Sequence, residues 1–96
     1  MPKVVINTCY GGFGLSDKAK DRLRELGLEF KWQYDIPRHH PLLVQVVEEL
    51  GEEASDPYAK LKVEEINSNL YKIDEYDGLE SVLTPNDNAG WISVFD

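Results

Sequence analysis

The sequence predicts an α+β domain: a mixed, largely antiparallel sheet with two helices on one face, in the order β-α-β-α-β-β-β. Three observations carry this reading. Residues 17–26 and 41–50 repeat apolar side chains at helical spacing. Other segments are short apolar runs or alternate with the period of a strand. The last strands are separated only by tight turns, which join antiparallel neighbours. With 96 residues the chain makes one domain, residues 1–96, and 42% apolar content suffices for a core.

Residues 3–9 read as a buried strand, because Val4, Val5 and Ile6 are contiguous and β-branched. Glycines stop the run. Ser16 then suits a helix N-cap with Asp17 in the first turn, and Ala19, Leu23 and Leu26 form one stripe before Gly27. Residues 28–34 alternate Leu28, Phe30 and Trp32 against Glu29, Lys31 and Gln33, which predicts a second strand. Residues 35–41 form a connector stiffened by Pro37 and Pro41.

Pro41 fits the first turn of a second helix capped by His40, with a stripe of Leu42, Leu43, Val46, Val47 and Leu50 and a stop at Gly51. After an acidic loop at 52–58, strands are expected over 59–66, 70–76 and 79–83. Asp77-Gly78 marks the hairpin between the latter two. Residues 84–90 read as a turn and 91–95 as a last edge strand. That strand has no evident partner in the meander. An open apolar edge in so short a chain invites a second copy, so a homo-oligomer is expected.

The net charge is −8, which disfavours nonspecific binding to a nucleic-acid polymer. The charge is unevenly spread. Residues 1–38 hold seven Lys/Arg and five Asp/Glu, whereas 39–96 hold three Lys and thirteen acids. An anionic ligand is therefore expected to meet the N-terminal part, and the acidic part reads as a solvated face. A single cysteine fits a reducing compartment. The apolar start at Val4-Val5-Ile6 is too short for a signal peptide, and no run approaches the ~20 apolar residues of a membrane helix. A cytoplasmic protein without membrane association is expected.

The most permissive backbone lies in "NTCYGGFGLS", residues 7–16. Glycines before a helix N-terminus let a ligand approach unpaired N–H groups. The expected ligand-binding residues are Cys9, Tyr10, Gly11, Gly12, Phe13, Gly14, Leu15 and Ser16, with Arg38 and His39 from the connector. Neither known phosphate motif is complete. Walker A needs a Lys-Ser/Thr pair where Leu15-Ser16-Asp17 follows Gly14, and the dinucleotide fingerprint needs a third glycine where Asp17 stands.

Tyr10 and Phe13 suit stacking on a flat ligand, or one ring plugs the core. Cys9, with His39 or His40 as base, is a candidate nucleophile. A cysteine closing an apolar strand is ordinarily a small core residue, and Cys9 is read as non-catalytic. Arg38 can grip a phosphate or carboxylate, or pair with an acid such as Asp35. Two adjacent histidines point apart in an extended segment, and no Cys/His cluster completes a metal site. The acids of Glu75-Tyr76-Asp77-Gly78-Leu79-Glu80 read as a solvated hairpin rather than an acid–base pair. No cofactor or metal is expected.

"NTCYGGFGLS", "DIPRHHPLLVQVVEELG" and "EYDGLESV", in this order, resemble a family of short uncharacterised proteins of phages, giant viruses and some bacteria. The likeness runs over residues 3–83, with His40 standing where the family form carries an acid. It implies a viral or mobile-element origin and assigns no activity. The expected function is a phage-type binding protein that sequesters a phosphorylated, nucleotide-derived host defence signal, such as a cyclic nucleotide or ADP-ribose derivative. The alternatives are an enzyme using Cys9 or a carboxylate on a nucleotide-like substrate, and an acidic inhibitor module that binds a protein.

Overall fold

The computed structural model describes residues 2–84 and, as backbone, residues 92–93. Its first strand, β1 (Lys3–Asn7), organises the rest. Val4, Val5, Ile6 and Asn7 are all buried. Successive side chains of a strand point to opposite faces, so four buried residues in a row need cover on both. Val5 joins a cluster with Leu15, Ala19, Leu23, Leu43 and Val46. Val4 and Ile6 join a second cluster with Ile66 and Tyr71, packed by Ile73 and Val82. Burial of one such side chain contributes about 1.5–3 kcal/mol of transfer free energy.

The first cluster belongs to the helices. In α1 (Asp17–Glu25), Ser16 accepts a hydrogen bond from the Ala19 amide at its N-terminus. The helix ends where Leu28 N–H reaches the Leu23 carbonyl and Gly27 turns to φ +95°. In α2 (Pro41–Leu50), His40 caps through Nδ1, which accepts from the Leu42 amide at 3.1 Å. These termini lie close to the positions that the caps and glycines predict.

β1 pairs antiparallel with β2 (Leu61–Glu65), in register from Lys3–Glu65 to Asn7–Leu61. A second sheet has β3 (Leu70–Tyr76) at its centre, β4 (Leu79–Leu83) on one side and β5 (Ile92–Ser93) on the other. The α+β class and the two helices stand. The single mixed sheet is corrected to two small sheets whose described pairings are antiparallel. The physical reason is β1: one face is covered by the helices, and the other takes apolar side chains of β3 and β4.

Residues 28–34 are not a strand. Leu28 and Phe30 lean on the helical cluster, and Gln33–Asp35 form a 3-10 turn. The place beside β1 that such a strand would need is occupied, because the Val5 amide donates to the Arg38 carbonyl at 2.9 Å. The last strand also differs from expectation. β5 pairs with Leu70 and Tyr71 of the same chain, so β3 supplies the partner that the sequence did not make evident. Residues 91 and 94–95 of that expected strand, and 85–90 of the expected turn, lie outside the described residues. Among the described residues no helix is long and apolar enough to cross a membrane.

Candidate functional site

The glycine-rich segment leaves β1 through Asn7, whose side chain is fully buried. Its Nδ2 donates to the Cys9 and Gly78 carbonyls at 2.6 and 2.7 Å, and its Oδ1 accepts from the Lys60 amide at 2.8 Å. One amide thus ties the start of the loop to the β3–β4 hairpin turn and to the chain entering β2. The glycines permit the approach. A Cβ on Gly11 would overlap the Tyr58 carbonyl oxygen. One on Gly78 would stand 2.5 Å from the Gly12 nitrogen and 2.6 Å from the Tyr10 oxygen, at a φ of +91°. Gly14 abuts the Asp56 carboxylate, and its carbonyl accepts from the Asp56 amide.

The expected site residues do not form one group. Phe13 and Leu15 are buried in the helical cluster, so of the two rings it is Phe13 that plugs the core and Tyr10 that faces solvent. Ser16 is occupied as the α1 cap and donates its hydroxyl to the Glu53 carbonyl. The Cys9 thiol meets the Tyr58 carbonyl at 3.1 Å and Asn7 Oδ1 at 3.4 Å, and among the described residues no imidazole lies within hydrogen-bond distance of it.

Arg38 is committed within the fold. Its guanidinium grips both oxygens of Glu80 at 2.5 and 2.8 Å, donates to the Val5 carbonyl, and lies 3.7 Å from the Phe13 ring centroid. Its partner is thus Glu80 of the "EYDGLE" segment rather than Asp35. Glu80 also accepts from the Asn7 backbone N–H at 2.8 Å. His39 Nδ1 lies 2.7 Å from the Tyr71 hydroxyl.

Burial pushes the Tyr71 phenol above its ordinary value, while the Arg38 charge and hydrogen bonding from the His39 backbone pull the other way. The folded state therefore disfavours the phenolate. This contribution to stability is whole below the unfolded value of ~10 and is lost as pH rises through the higher folded value. Urea midpoints measured across this range should fall less steeply in Tyr71→Phe than in the parent, and identical slopes would reject this account.

A different surface carries unoccupied charge. Lys20 and Arg24 of α1 and the segment from Phe30 to Tyr34 surround an open hollow of about 320 Å³. Trp32 is 61% and Tyr34 71% exposed. Arg24 lies 4.6 Å from the Phe30 ring centroid, and Lys31 lies 6.0 Å from that of Trp32. Asp21 reaches Arg24 only at 3.9 Å, and among the described residues Lys20 and Lys31 have no carboxylate at ion-pair distance. Gln33 links this surface to the glycine segment, since its Oε1 accepts from the Leu15 amide at 2.7 Å. A larger hollow over α2 is lined by Lys3, His39, Glu48 and Glu49, but there Lys3 is neutralised by Glu48, and Glu49 is held by Arg22.

Sequence reasoning missed Lys20, Arg24, Trp32 and Tyr34 as a group. The signal was present: two cations one helical turn apart, followed by three aromatics interleaved with a lysine. It was absorbed by the alternation that suggested a strand. No protein-family model matches the chain, and comparisons with curated proteins and with solved structures also find no match.

Proposed function

We propose that the protein binds, without transforming, an anionic small molecule that carries a flat ring, of nucleotide type. The observation that supports this is the hollow of Lys20, Arg24 and Lys31 beside exposed Trp32 and Tyr34, on a chain of net charge −8. Exposed aromatic surface is costly to leave in water unless it is used. Cations at its margin suit a phosphate, and rings suit a base, whose stacking contributes about 1–3 kcal/mol. The resemblance to phage-encoded proteins makes sequestration of a nucleotide-derived host defence signal the role that this binding would serve.

The test is calorimetric titration with cyclic di-AMP and with ADP-ribose. At least one should bind. Trp32→Ala should weaken it about tenfold or more, and a Lys20→Ala/Lys31→Ala double variant should lose most of the salt dependence. The nucleotide should be recovered chemically intact after long incubation with substoichiometric protein. Absence of binding by both compounds, or equal affinity in folded Trp32→Ala, rejects this site; accumulation of product would replace it with the enzymatic alternative.

A further inference from the structure

Gln33 lines the hollow together with Lys20, Arg24, Trp32 and Tyr34, and it does so in a fixed orientation. An amide side chain ends in an acceptor and a donor that are alike in shape and opposite in chemistry. The N–H of buried Leu15 can only donate, and it meets one end of the Gln33 amide at 2.7 Å. That end is therefore Oε1, and Nε2 is left free of the bond. Among the described residues Nε2 has no hydrogen-bond partner, and no buried side-chain nitrogen or oxygen lacks one. Nε2 is thus open to solvent, and the open space that Gln33 lines is the hollow. The backbone is held as well. The Asp35 N–H reaches the Trp32 carbonyl at 3.0 Å, the Ile36 N–H reaches the Gln33 carbonyl at 3.3 Å, and Ile36 is buried. The donor is ordered before a ligand arrives, so binding does not have to order it.

Nε2 completes a one-sided set of groups. Lys20, Arg24, Lys31 and the Trp32 indole donate and cannot accept, and of the side chains lining the hollow only the Tyr34 hydroxyl has a free acceptor. The cations suit phosphate oxygens. The neutral amide stands between the two rings in sequence and lines the same hollow, where a base stacked on either ring brings its edge. A neutral donor of fixed direction discriminates at that edge. It bonds to a ring carbonyl, and it opposes an exocyclic amino group, which is itself a donor. We propose that Gln33 selects a keto purine, of hypoxanthine or guanine type, over adenine in the ligand of this hollow. The selection rests on the nucleotide binding proposed above and adds the identity of the base. Adenine compounds still bind through phosphate and stacking, but more weakly.

The experiment is calorimetric titration of the whole chain with IDP and with ADP. The two carry equal charge and differ chiefly in the purine 6-substituent, a carbonyl in one and an amino group in the other. IDP should bind about fivefold more tightly, since one hydrogen bond is gained where ADP opposes donor to donor. In Gln33→Glu one carboxylate oxygen still accepts from the Leu15 N–H, and the other accepts where Nε2 donated. The added charge weakens both nucleotides alike and cancels in the ratio of their affinities, which should fall to one or below. Gln33→Leu, with its fold checked by circular dichroism, removes donor and acceptor together and should bring the ratio to one. A preference for IDP that persists in either folded variant overturns the proposal, and so does equal affinity of the parent for the two nucleotides; in both outcomes the hollow remains a nucleotide site. Failure of the parent to bind either nucleotide removes the site itself, and this selection with it.

Discussion

Arg38→Ala is expected to remove about 3–5 kcal/mol of stability, because it leaves a buried carboxylate without its cation. The side chains of Arg38 and Glu80 are only 18% and 8% exposed, and they meet through two parallel hydrogen bonds. The loss would be about a fifth or more of the stability usual for a domain of this size. Two further contacts go with it: the donor to the Val5 carbonyl and the guanidinium over Phe13. The double variant Arg38→Met/Glu80→Met should be more stable than Arg38→Ala, since apolar side chains of similar length leave no charge unpaired. Urea denaturation of the parent and both variants decides it. A loss below ~1 kcal/mol in Arg38→Ala would mean that water reaches Glu80 freely and that the pair is a surface one.

Gly11→Ala should be nearly as damaging, at about 3 kcal/mol, and for a steric reason. The added methyl group would occupy the position of the Tyr58 carbonyl oxygen, which is backbone and cannot rotate away. Its neighbour is the internal comparison. Gly12 has a φ of +91°, but a methyl group added there would meet nothing within 4 Å, so Gly12→Ala should cost only the backbone strain, about 1–2 kcal/mol. Equal unfolding midpoints for the two variants would show that the close approach at Tyr58 relaxes at little cost.

Much of the architecture was legible because it depends on local signals. Ser16, Gly27, Pro41 and Gly51 mark the helix limits through chemistry confined to one turn. Asp77-Gly78 does the same for the hairpin, with both residues at positive φ. The second strand was misread because alternation in Leu28-Glu29-Phe30-Lys31-Trp32 reports only that two faces differ. It does not report whether a neighbouring edge is open, and the Arg38 backbone occupies the one beside β1.

The glycines of residues 7–16 were legible as a close approach, but not what approaches: here it is the chain's own Tyr58 and Gly78. Arg38 likewise announced a need for an anion, and its partner Glu80 lies 42 positions away, beyond the reach of any spacing rule. The hollow of Lys20, Arg24, Trp32 and Tyr34 forms only when a helix and a coil meet in space.

The double burial of β1 has a consequence for how the chain reaches its native state. Lys3 is made 62 residues before its register partner Glu65, and the Ile73 and Val82 that pack the cluster of Val4 and Ile6 come later still. Until then Val4-Val5-Ile6 has neither edge partner nor cover. A topology dominated by such distant pairings folds more slowly than a local one of equal stability. The nascent chain therefore carries a sticky, uncovered strand until those residues follow it, and a chain cut short before residue 83 would expose that strand permanently to aggregation.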